Sequence, residues 1–243
     1  MKKIALVSII CFVASSLFAQ DSVKIVPKKK PAIDLSGRAN DHFLLQLGYT
    51  GWAGRPDTIT PSGFSKSINV YFMFDFPFKT NPKLSMAFGP GISTDNIIFK
   101  EHFVGIRENS SVFQISDRSD TNHFRKTKLT TVYLEAPVEF RYTKDPLNPG
   151  KSLKFAIGVK VGTMLKAYTK SKDWQTKSDA TINSYTQKEA SKQYFNTTRL
   201  SAHARIGLGH FSLYGSYQIT TLLKDGAGAE IRPYSIGITL SGL

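Results

Sequence analysis

Nine ionisable side chains stand at alternate positions of segments that are otherwise apolar on every second residue: Asp75, Glu135, Glu139, Arg141, Lys160, Lys166, Arg199, His203 and Arg205. In an extended chain, residues two apart share a face, so Glu135, Glu139 and Arg141 point one way from one strand. Arg199, His203 and Arg205 do the same from another, and Lys160 and Lys166 belong to the strand that follows the glutamates. Charges of both signs on one enclosed face are costly unless they pair. The chemistry they predict first is an interior salt-bridge network that plugs a barrel. A second chemistry for the same residues is a proton- or ion-selective path. A third is hydrolysis by Ser201, His203 and Glu135 or Glu139, but no nucleophile elbow or other local motif frames Ser201. His42, His102, His123 and His210 are scattered without metal-ligand spacing. Neither a metal nor a cofactor is expected.

The elements that must carry these groups are strands of period two. Residues 65–78 are the clearest case: Ile68, Val70, Phe72, Phe74, Phe76 and Phe78 alternate with Ser67, Asn69, Tyr71, Met73 and Asp75. Seven further segments follow suit at 42–52, 84–98, 129–142, 153–167, 198–208, 211–220 and 233–243. The polar set is rich in Gly, Ser, Ala and Thr, and the apolar set in Phe, Leu, Ile and Tyr. Small residues suit a cramped interior and bulky ones suit lipid, the reverse of a soluble barrel.

Connection lengths agree. The links at 79–83, 143–151 and 209–210 are short, whereas those at 53–64, 99–128, 168–197 and 221–232 are long. That rhythm predicts an all-β fold: an eight-stranded antiparallel up-and-down transmembrane β-barrel over 41–243, with both termini in the periplasm. Closure is required because lipid offers no partner to a bare sheet edge. Pro90 and Pro137, which cannot donate to a ladder, are expected at bulges. Tyr49, Trp52, Tyr71, Tyr142, Tyr168 and Tyr234 lie near strand ends, where an interfacial aromatic girdle is expected.

Residues 1–19 read as a signal peptide: Lys2 and Lys3, an apolar run over 4–13, then small residues before a cut after Ala19. Residues 20–40 read as an extended periplasmic tail. The only cysteine, Cys11, falls in the leader, which excludes disulfides and thiolate chemistry from the mature chain. The formal charge is +14, from 32 Lys+Arg against 18 Asp+Glu. The export signal argues against nucleic acid as a partner. Outer-membrane lipid and lipopolysaccharide phosphates are expected instead, met by basic loops with Lys100, Arg107, Arg118, Arg125, Lys126 and Lys128, and with Lys170, Lys172, Lys177, Lys188 and Lys192.

Residues 133–142 (YLEAPVEFRY) resemble the "YLEIPL" strand of PorT-like outer-membrane β-barrel proteins. Residues 71–79 (YFMFDFPFK), 194–199 (YFNTTR) and 232–243 (RPYSIGITLSGL) are similar to that family as well. Ala136 replaces the usual isoleucine, and Leu243 replaces the terminal aromatic many outer-membrane proteins carry. The resemblance implies a non-enzymatic cell-envelope barrel, structural or accessory to protein secretion across the outer membrane, with secretion or envelope proteins as partners. The alternatives are a narrow solute or ion channel and a lipid-modifying enzyme.

Overall fold

The computed structural model describes residues 42–242. The expected leader with its cut after Ala19, the tail over 20–40 and the closing Leu243 lie outside them. Thirteen strands are present among the described residues: β1 (Phe43–Ala53), β2 (Lys66–Phe72), β3 (Phe74–Pro77), β4 (Leu84–Phe88), β5 (Gly91–Phe99), β6 (His102–Gly105), β7 (Gln114–Asp117), β8 (His123–Thr143), β9 (Leu153–Gln175), β10 (Thr181–Ala190), β11 (Thr198–Leu208), β12 (Phe211–Gln218) and β13 (Arg232–Ser241). Eleven of them form one antiparallel sheet in the order β10-β9-β11-β12-β13-β1-β2-β5-β8-β4-β3, and β8 also pairs β9. That extra pairing returns the ladder to its start through β8, β9, β11, β12, β13, β1, β2 and β5. The hairpin β6–β7 forms a separate sheet.

The strand inventory differs from the expected eight in two ways. First, the segments 65–78 and 84–98 each divide, at Met73 and at Gly89-Pro90. The breaks are neighbours: Met73 N donates to His42 O at 2.6 Å and Phe72 N to Pro90 O at 2.9 Å. A Cβ on Gly89 would stand 1.8 Å from Phe72 O, so only glycine permits this approach. Pro137 is accommodated at the same level. On β8 the pairing with β5 ends at Glu135 and that with β4 begins at Val138, leaving Pro137 without a partner on that side. Second, the long connections 99–128 and 168–197 are largely strand. β8 and β9 run on, paired from His123↔Gln175 to Thr143↔Lys154, and β10 folds back onto β9.

Burial follows the alternation. Ile68, Phe72, Phe74, Phe76, Phe88 and Phe140 are exposed, with Ile157 at 66% and Leu213 at 63%. Polar Gln46, Ser67, Asn69 (2%), Ser93 and Thr239 (0%) are buried. In water each exposed aromatic or branched side chain would forgo about 1.5–3 kcal/mol of burial. An outer face of this kind fits a hydrocarbon surround.

The long connections do not stay open. Trp52, Phe99, Val104, Ile106, Phe113, Leu129, Tyr194, Phe195, Leu222, Leu223 and Ile231 form a buried apolar cluster. Phe113 N donates to Ala227 O, Asn196 N to Leu222 O, and Phe195 bridges Leu223. The loops thus share a core at one end of the sheet. This removes Trp52 from the expected aromatic girdle. Tyr71 leaves it too, because its ring lies in a second small cluster with Leu44, Met73 and Ala87.

Candidate functional site

Three adjacent strands supply most of the charged side chains of the interior. β8 supplies Tyr133, Glu135, Glu139 and Arg141; β11 supplies Arg199, Ser201, His203 and Arg205; β9 lies between them. Its residues at matching levels are small. Glu139 and His203 both pair with Gly158, Glu135 and Arg199 both with Gly162, and Arg141 and Arg205 both with Ala156. The missing side chains of β9 let acids on β8 reach bases on β11, two strands away. A Cβ on Gly158 would lie 2.0 Å from Val138 O, and one on Gly162 would lie 2.8 Å from the Glu135 side chain.

Two clusters result. At the first, Glu139 Oε2 accepts from Arg141 Nε at 2.7 Å and from Arg205 Nη2 at 2.6 Å. Its Oε1 lies 3.0 Å from His203 Nε2 and 3.2 Å from Arg205 Nε. Arg141 also lies 3.6 Å from Asp75, to which Ser85 donates at 2.7 Å. At the second, Arg199 Nη1 bridges Asp95 at 2.9 Å and Glu135 at 3.2 Å, with its guanidinium 4.7 Å from the Tyr133 ring centre. Tyr71 donates to Glu135 Oε2 at 2.7 Å and accepts from Lys160 Nζ at 3.1 Å. Lys160 also donates to Gln46. From there a neutral ladder continues: Ser93 to Asn69 at 2.8 Å, Asn69 to Gln46 at 3.3 Å, and Gln46 to Thr239 at 3.2 Å. Carboxylates Asp75, Asp95, Glu135 and Glu139 thus face cations Arg141, Lys160, Arg199 and Arg205 in two clusters of the interior. Such pairing, with the remaining lone pairs hydrogen-bonded, is what makes enclosed charge tolerable.

Of the nine residues singled out in sequence, eight meet here and Lys166 does not. The ladder slips by one residue between Val132↔Lys166 and Tyr133↔Met164, so Leu165 is extra. This bulge turns Met164 and Ala167 inward and Lys166 outward into the exposed set. Asp95, not among the nine, is buried with the eight and pairs Arg199. The alternation Gly91, Ser93, Asp95 places it inside, and extending that count by one step would have found it. Tyr71, expected on the polar face and near an interface, lies inside and links Glu135 to Lys160. The hydrolytic arrangement is not formed: His203 Nε2 engages Glu139, and Ser201 Oγ is buried without a hydrogen-bond partner among the described residues.

A family model described as an outer membrane protein beta-barrel domain matches residues 18–220. Two solved structures of Ail, the attachment invasion locus protein of Yersinia pestis, are similar to this chain. One, in complex with the heparin analogue sucrose octasulfate, shares 12% identity at a TM-score of 0.33, and the other shares 15% at 0.32. Each comparison covers 82% of this chain and 97% of Ail. No curated protein matches the chain.

Proposed function

From the premise that this chain belongs to the outer membrane protein β-barrel domain family and resides in the outer membrane, we propose that it is an eight-stranded up-and-down barrel with a sealed lumen. It acts without catalysis, as a structural element or an accessory of protein secretion across the outer membrane. The observation that carries this reading is the double closure: a paired charge network fills the interior, and an apolar cluster gathers the long connections. An eight-stranded barrel has room for its own side chains and little more, which favours a scaffold over a conduit. The PorT-like affinity of residues 133–142 supplies the export side of the proposal.

Lipopolysaccharide is the lipid partner that the lysines favour. Lys128, Lys170 and Lys188 align across β8, β9 and β10, and Lys126 aligns with Lys172 in the adjacent row. Like charges directly opposite repel. Phosphates of the outer leaflet would relieve that repulsion.

The experiment is deletion of the gene followed by comparison of secreted and surface proteins. Loss of a defined set of exported proteins supports the accessory role. An unchanged set overturns it and leaves a structural barrel. Steady unitary conductance from the purified protein in a planar bilayer would overturn the sealed lumen.

A further inference from the structure

We propose that Glu101, His123 and Asp179 form a divalent transition-metal site, with Zn²⁺ as the fitting ion, that clips the turn after β5 and the β9–β10 turn to the start of β8. Each offers one ligand atom, and these atoms lie within 4.8 Å of one another. The sequence hides the set, since 22 and 56 positions separate its members, whose approach depends on the pairing of His123 with Gln175 just before the β9–β10 turn.

The histidine is the second, independent observation. His123 is 3% exposed, and its Nδ1 lies 2.9 Å from Thr121 O. A carbonyl oxygen only accepts, so Nδ1 carries the proton. That leaves Nε2 as the nitrogen available to a metal; it lies beside the two carboxylates and has no hydrogen-bond partner among the described residues. A neutral imidazole whose far nitrogen is fixed by a backbone carbonyl is the usual state of a metal-bound histidine. Three potential ligand atoms gathered within 4.8 Å of one another, two of them from carboxylates, suit a cation between them.

Spacing agrees with that ion. His123 Nε2 and Asp179 Oδ1 are 3.4 Å apart. Two ligands about 2.1 Å from a tetrahedral centre stand about 3.4 Å apart. Glu101 is half-buried and Asp179 exposed, so small rotations of their side chains complete the set, with water in a remaining position. Mixed nitrogen and oxygen donors favour zinc over Mg²⁺ or Ca²⁺, which prefer oxygen alone.

The test is calorimetric titration of the purified full-length protein in detergent micelles at neutral pH with ZnCl₂, and with MgCl₂ as comparison. One Zn²⁺ per chain and no Mg²⁺ is the expected result. His123→Gln and Asp179→Asn should each weaken zinc binding by at least the roughly 10- to 100-fold that loss of an outer-shell partner costs. Asp179 is 72% exposed, so Asp179→Asn decides the matter even if His123→Gln fails to fold. Absence of zinc uptake would overturn the proposal and leave a direct His123–Asp179 contact in its place. Equal uptake by wild type and Asp179→Asn would overturn it as well.

Discussion

Glu139 accepts from Arg141 and Arg205 and faces His203. Its removal would leave three bases facing one another in an enclosed space. Glu139→Ala should destabilise the protein by about 3–5 kcal/mol, the usual cost of stripping one partner from a buried ionic cluster. Denaturant unfolding of the vesicle-inserted protein measures it. Lys166→Ala should fall within about 0.5 kcal/mol of wild type by the same measurement, because that side chain is exposed. Tyr71→Phe should cost roughly 1.5–3 kcal/mol, since it removes a hydrogen bond to Glu135 and one from Lys160 together. At this scale the sequence was legible wherever alternation held. Eight of the nine charges expected on the inner face lie there, as counting in twos places them, and Lys166 leaves that face at a single inserted residue that no local composition marks.

At the scale of elements, β9 acts as a spacer. Gly158 and Gly162 keep the path between β8 and β11 clear: the Val138 carbonyl stands where a Gly158 side chain would be, and the Glu135 side chain lies against Gly162. Gly158→Ala should therefore lower the unfolding midpoint markedly, whereas Gly215→Ala on β12, whose added Cβ would meet nothing within 4 Å, should leave it unchanged. The lysine rows belong to three strands at once. Replacing Lys128, Lys170 and Lys188 by Gln should weaken lipopolysaccharide binding and flatten its salt dependence, as a pull-down across ionic strengths would show. If binding and salt slope both persist, the rows are not the contact. The prolines flagged the weak points of the strand pattern. Pro90 does interrupt a strand, but Pro137 does not, because β8 changes partner around it. Which outcome a proline takes depends on neighbours that its own segment does not specify.

For the whole molecule, the apolar cluster joins the ends of β1 and β5 to loops from three other connections. Phe195, at 0% exposure, is central to it. Phe195→Ala should cost that cap about 3–5 kcal/mol. The expected readout is faster proteolysis within 99–128 and 168–197, with the strand signal in circular dichroism unchanged. Loss of the strand signal instead would mean that cap and sheet fold as one. The sequence by itself determined the faces wherever alternation is unbroken: period two and the sorting of bulky apolar from small polar residues fix which side chains point to lipid there. It also determined that the segments are strands and that long and short links alternate. Only the tertiary structure decided where the register slips, which loop residues bury one another, and that Glu101, His123 and Asp179 approach. Alternation is a local property of one chain segment, carried by backbone geometry. Register, caps and convergent ligands are set by pairings between residues tens of positions apart, and a linear pattern contains no record of those pairings.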